Sequence, residues 1–125
     1  MEIVTDKPIK PQEVYEQIQK QGSGSVIFHF AVVREKTEGK ITTSIEFHRD
    51  GDVEGELNAI AGEIRSRWKV EDVLIIRRLG TLKIGDIISL VAVSSPHRGD
   101  AFDACRNGVE RLKKMETIKK SERFE

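Results

Sequence analysis

IISLVAVSSPHRGDAFDAC (residues 87–105) is an apolar run that breaks at a proline and resumes as a helix. Its first nine residues are dense in aliphatic and β-branched types, the pattern of a buried strand. Pro96 lacks an amide hydrogen and disfavours helical backbone in the residue before it. The strand therefore ends at Ser95, and a helix begins near His97 or Arg98. Over roughly 98–114, Ala101, Phe102, Cys105, Gly108, Val109 and Leu112 recur on one face of that helix.

The same reading extends outward. VEDVLIIRRLG (70–80) is a strand ending at Gly80, and TLKIGD (81–86) is a short strand and turn. Val53, Leu57, Ile60, Ala61, Ile64 and Trp68 form one apolar stripe, so 53–68 is a helix with Trp68 as a core anchor at its end. SVIFHFAVVR (25–34) is a largely buried strand with His29 as a core or interface histidine. EKTEGK (35–40) is a polar turn, and ITTSIEFH (41–48) is the half-exposed hairpin partner of 25–34. Pro11 opens a short helix with Val14, Tyr15 and Ile18 on one face, ended by Gly22-Ser23-Gly24. Residues 115–125 are charged with no clear period. The order α, β-β, α, β-β-β, α predicts a single α+β domain over 1–125. Its sheet is antiparallel or mixed, with helices on one face.

Composition narrows the function. The 125 residues carry 21 Lys plus Arg against 21 Asp plus Glu, with 34% charged and 38% hydrophobic residues. That hydrophobic share supports a packed core and argues against disorder. Zero net charge argues against a global positive field for nucleic acid. One cysteine, Cys105, allows no internal disulfide and no Cys-rich zinc site. The three histidines show no metal-ligand spacing, no apolar stretch approaches a membrane span, and the polar N-terminus lacks a signal-peptide core. A soluble, cytoplasmic protein is expected.

Three places could carry chemistry. At Ser94-Ser95-Pro96-His97-Arg98, a helix N-terminus and two donors would favour an anion; the plainer reading is a solvated helix start. Residues 106–125 hold seven Lys/Arg against four acids, whereas 46–63 hold six acids against Arg49. Crowded lysines can act as bases or nucleophiles, or simply solvate a helix end. Arg34 ends a strand at a turn, where it could face a ligand or water.

The blocks VVREKTEG (32–39), RLGTLKIGD (78–86), VAVSSPHRGDAFDACR (91–106) and the lysine-rich end resemble the large, catalytic subunit of molybdopterin synthase. The resemblance runs from about residue 3 to 122. It implies an α/β-hammerhead-type fold and a homodimer that binds two copies of a small ubiquitin-like sulfur-carrier subunit, giving a heterotetramer. The implied reaction converts cyclic pyranopterin monophosphate to molybdopterin. Sulfur comes from the thiocarboxylate on the carrier's C-terminal Gly-Gly, with no metal or cofactor in the large subunit. The implied substrate-binding residues are Val32, Val33 and Arg34, the pair His97 and Arg98, and Lys113, with a second lysine in the triplet Lys120-Ser121-Glu122 or, with one residue deleted, at Lys119. Lys113 and Lys120 are the implied catalytic lysines, with 115–125 contributing to the site. Three stretches depart from the family pattern: METIKK (115–120), the acidic EFHRDGDV (46–53), and Arg77-Arg78 in place of His-Arg.

Geometry adds a constraint. Arg98 and Lys113 are fifteen residues apart, roughly 22 Å along a straight helix. One small pterin phosphate cannot span that distance. Unless the helix is broken, His97-Arg98 of one chain joins Arg34, Lys113 and Lys120 of another at a homodimer interface. The rival expectations are a non-catalytic homologue that binds the carrier or a pterin and, less favoured, a nucleic-acid-binding module, for which the aromatic pair of an RNA-binding sheet is missing.

Overall fold

The strands Asp72–Arg78 and Ile87–Ser95 lie antiparallel at the centre of a sheet in this computed structural model, which describes residues 1–37 and 39–125. In chain order the elements are β1 (Glu2–Thr5), α1 (Pro11–Gln17), β2 (Ser25–Val32), β3 (Lys36–Thr37), β4 (Lys40–Arg49), α2 (Val53–Arg67), β5 (Asp72–Arg78), β6 (Gly80–Lys83), β7 (Ile87–Ser95), α3 (Arg98–Lys113) and β8 (Ile118–Phe124). The first sheet runs β1-β5-β7-β2 and is mixed, because β1 joins β5 in parallel. The second runs β3-β4-β6, with β8 also pairing β4. The architecture is α+β.

Alternation along β5 and β7 explains why residues 73–76 and 90–93 are apolar throughout. Val73, Ile75, Val91 and Val93 pack with Leu57, Ile60 and Ile64 of α2 and Ala104 and Cys105 of α3. Leu74, Ile76, Leu90 and Ala92 face the other way, onto Ile9, Val14 and Ile18. Both faces are covered, so residues 73–76 and 90–93 are apolar throughout, and the buried polar residues Arg77, Ser89, Ser94 and Ser95 lie only at their flanks. Each fully buried Ile, Leu or Val contributes roughly 1.5–3 kcal/mol.

Local chemistry sets the helix ends. Asp52 caps α2, its carboxylate accepting from the Gly55 amide at 3.0 Å. The chain turns extended at Trp68, which packs partly buried against the core with the Arg67 guanidinium 4.4 Å over its ring. In α3, Gly108 sits where the helix presses on β7 and α2. A Cβ there would lie 2.9 Å from Val91 Cγ1 and 3.2 Å from Ile64 Cδ1.

Several expectations need correction. Helices cover both faces of the first sheet, since α1 lies opposite α2 and α3. Residues 25–34 and 41–48 do not form a hairpin: β2 pairs β7, and β4 pairs β3, β6 and β8. As a sheet edge, β2 is half-buried rather than largely buried. The turn expected at 35–40 is replaced in part by β3, and Glu38 lies outside the described residues. Residues 118–124 form β8, and Glu2–Thr5 form β1, where no strands were expected. The first helix ends at Gln17, ahead of Gly22, because Ile18 turns extended to bury its side chain. Tyr15 (51% exposed) and Phe102 (53%) sit on the outer faces of their helices. Among the described residues, no helix is long and apolar enough to cross a membrane.

Gly108→Leu forces a large side chain against Val91 and Ile64 and is expected to destabilise the fold by about 2–3 kcal/mol. The readout is a lower urea midpoint at unchanged slope.

Candidate active site

A cavity of about 710 Å3 opens where β2, β4, β8 and the end of α3 converge. Val33 anchors its rim. It is buried, its amide donates to the Asp86 carbonyl at 3.0 Å, and its carbonyl accepts from the Gly85 amide at 2.8 Å. Gly85 meets this contact with φ +88°, in the left-handed region open to glycine. The β2–β7 register slips between Ala31 and Val32 just before this anchor. Val32 and Arg34 stay exposed on either side of Val33, and all three line the cavity.

Lys113 reaches the cavity from the last turn of α3, where a cation complements the helix dipole. The opposite wall comes from β8. Successive strand side chains point to opposite faces, and Ile118, Lys120 and Glu122 line the cavity. Lys119 and Ser121 do not: the Lys119 ammonium lies 3.6 Å from the Asp50 carboxylate. Of the two candidate lysines, Lys120 therefore faces the cavity. Glu122 accepts from the buried Thr42 hydroxyl at 2.8 Å and lies 3.8 Å from the Lys120 ammonium. Among the described residues four cations, Arg34, Arg77, Lys113 and Lys120, share the wall with one carboxylate. Such a wall attracts anions.

His97 and Arg98 are not in this wall. Both are exposed at the opposite end of α3, where His97 is the N-cap residue without a side-chain capping bond. The helix is unbroken over 16 residues, about 24 Å. One chain thus brings Arg34, Lys113 and Lys120 together and holds His97-Arg98 apart from them. No group of three or more His, Cys, Asp or Glu among the described residues could hold a metal ion.

Residues 4–115 match the family model described as MoaE protein. The molybdopterin synthase catalytic subunit of Halalkalibacterium halodurans is 35% identical over 123 residues, spanning 98% of this chain and 79% of that protein. The chain belongs to the MoaE family. Its relatives are catalytic subunits of molybdopterin synthase, an enzyme of molybdenum cofactor biosynthesis. A crystal structure of molybdopterin synthase from Staphylococcus aureus superposes with a TM-score of 0.90 at 35% identity, covering 98% of this chain and 90% of that one. A Helicobacter pylori structure, a protein–protein complex of subunits 1 and 2 of molybdopterin-converting factor, has the same fold (TM-score 0.77) at 14% identity, covering 97% and 83%.

In this MoaE-family chain the METIKK stretch still delivers a lysine to the cavity, because the turn before β8 is clamped. The Glu56 carboxylate of α2 accepts from the Thr117 hydroxyl at 2.6 Å and from the Glu116 and Thr117 amides at 3.1 Å each. Desolvation works against its ionised form, but these three donors outweigh it and hold the Glu56 carboxyl below its ordinary range. Glu63 of α2 pairs with Arg111 of α3. The acidic 46–63 segment thus docks on the basic end of the chain, partly neutralising it from outside.

Residue-type reading overlooked Glu56, Phe47 and Met115, and noted Arg77 only as a departure. The opposed charge excesses were the available signal for Glu56. For Arg77 it was a charge at the end of an apolar strand. Cys105 is the buried packing residue expected of it; burial pushes its thiol up to about 11.

Glu56→Ala is expected to cost about 1–2 kcal/mol at neutral pH. A carboxyl depressed in the folded state stabilises above its unfolded pKa and loses that contribution as pH falls through the folded value. The gap to wild type, measured by urea denaturation, should therefore be full at pH 7 and shrink only as pH falls below the ordinary carboxylate range.

Proposed function

We propose that the chain transfers sulfur to cyclic pyranopterin monophosphate, forming molybdopterin. The sulfur would be supplied by the C-terminal thiocarboxylate of a small ubiquitin-like carrier ending in Gly-Gly, in the cytoplasm. The supporting observation is the convergence of Arg34, Lys113 and Lys120 on one cation-rich cavity, with His97-Arg98 at the far end of a rigid helix.

In this reading two chains form a homodimer with two shared sites, each bound by a carrier, giving a heterotetramer. His97-Arg98 of one protomer faces Arg34, Lys113 and Lys120 of its partner. The arginines and His97 hold the phosphate and the pterin. Ser121 and Lys119, on the outer face of β8, would act only through the strand's position. Lys113 and Lys120 stabilise the anionic thiocarboxylate and the tetrahedral oxyanion formed when the acyl group is attacked. One of the lysines moves a proton as the cyclic phosphate opens. The nucleophilic sulfur arrives on the carrier, so Cys105 has no part in the chemistry.

With thiocarboxylated carrier and cyclic pyranopterin monophosphate, Lys113→Ala and Lys120→Ala should each lower dithiolene formation by about 100-fold or more. Lys119→Ala should remain near wild type. Wild-type rates in both of the first two variants would refute the roles given to these lysines. Complementation tests the shared site. Arg98→Ala and Lys120→Ala chains are each inactive, but statistical mixing should restore roughly a quarter of wild-type activity through mixed dimers. No recovery would place the whole site in one chain.

A further inference from the structure

Arg77, the penultimate residue of β5, is a buried arginine in the cavity wall, 7% exposed. It has no carboxylate partner among the described residues. Its Nη1 donates to the Arg78 carbonyl at 3.3 Å and the Ile88 carbonyl at 3.2 Å. One face of the guanidinium lies 4.3 Å from the centre of the Phe47 ring. Phe47 is also the cross-strand neighbour of Lys120, so one ring borders both of these cations of the cavity wall.

Two carbonyls and a ring orient this group but do not neutralise it. Burial lowers its pKa to about 10, which leaves it cationic at neutral pH. A buried charge without a counter-ion is costly, and the cost is recovered when an anion with matching acceptors arrives. The bonds already made use Nη1 and leave the Nε–Nη2 edge without a protein hydrogen bond. That edge carries two parallel N–H donors, the fork that grips two oxygens of one oxyanion. Among the described residues the only carboxylate in the cavity wall is Glu122, which is engaged by Thr42 and Lys120.

We propose that Arg77 is a further anion-binding residue of this cavity, receiving an oxyanion side-on through its Nε–Nη2 edge. The inference rests on the function proposed above, which offers two sources of that chemistry: the carboxylate left on the carrier's tail once its sulfur has been transferred and the acyl group hydrolysed, and the substrate phosphate. Arg77 is oriented for this task by the Ile88 carbonyl and by Phe47, not by a neighbouring charge.

The test titrates the folded wild-type chain, Arg77→Gln and Arg77→Lys with three probes. These are inorganic phosphate, a peptide ending in a Gly-Gly carboxylate, and the same peptide amidated at its C-terminus. Arg77→Gln is expected to lose tenfold or more in affinity for phosphate or for the carboxylate peptide, and the probe that weakens identifies the source. If the peptide is the one affected, the wild-type preference for carboxylate over amide should disappear as well. Arg77→Lys keeps the charge without the fork and should lose at least threefold; it decides the matter if Arg77→Gln does not fold. Cooperative melting of each variant guards against a merely structural effect, which would shift stability and leave affinity unchanged. Affinities within twofold of wild type in a folded variant, or no binding of any probe by wild type, would overturn the proposal. Failure of the proposed function is read separately: wild type would then form no dithiolene with thiocarboxylated carrier, whatever Arg77 binds.

Discussion

The antiparallel pairing of Ile118–Phe124 with Lys40–Arg49 gives the cavity its second wall. Everything chemical about that wall depends on register. Phe47 opposes Lys120 and Ile45 opposes Glu122; a slip of one residue would turn Lys119 and Ser121 inward and Lys120 outward. The strand has too little apolar character to set its own register. It is set from outside, by the Glu56 carboxylate on residues 116 and 117 and by the Asp50 amide on the Thr117 carbonyl at 2.7 Å. An acid on a helix therefore decides which lysine faces the cavity.

That dependence explains what the sequence revealed. Residues 73–76 and 90–93 announce themselves because both faces of each strand are covered there, leaving no polar position within them to blur the pattern. Helix α2 shows a clean apolar stripe because it has one covered side, whereas in α3 the exposed Phe102 blurs the stripe formed by Ala101, Ala104, Cys105 and Gly108. IKKSERF has no such stripe: one face meets solvent and the other a polar cavity, so its strand character resides in the partner. EIVT is four residues long and joins β5 in parallel from a distant part of the chain, which no local signal reports. The expected 25–34/41–48 hairpin failed for a related reason. The edge of β2 is satisfied by β7, and the inward turn at Val33 sends the chain toward the second sheet. Of the site, Arg34, Lys113 and Lys120 were legible through family resemblance. The choice between Lys119 and Lys120 needed the alternation of a strand that the sequence concealed.

The balance of 21 cations and 21 anions takes on a spatial meaning. Acids from 46–63 meet the outer side of the basic end: Asp50 on Lys119, Glu63 on Arg111, Glu56 on the turn. Cations on the inner side keep their excess. A neutral chain thereby confines a positive potential to one concave region, where low-dielectric walls strengthen it, rather than spreading it over the surface.

The one thiol of the chain lies sealed between α3 and β7, its proton held by burial and its Sγ 3.7 Å from the Val91 carbonyl. Thiolates, not thiols, exchange with disulfides and react with peroxides. A protein built this way presents no competing sulfur nucleophile beside its cavity. Oxidants that attack surface cysteines find no exposed thiol here, and a sulfur-bearing ligand entering the cavity meets cations and apolar walls but nothing that could capture its sulfur in a mixed disulfide.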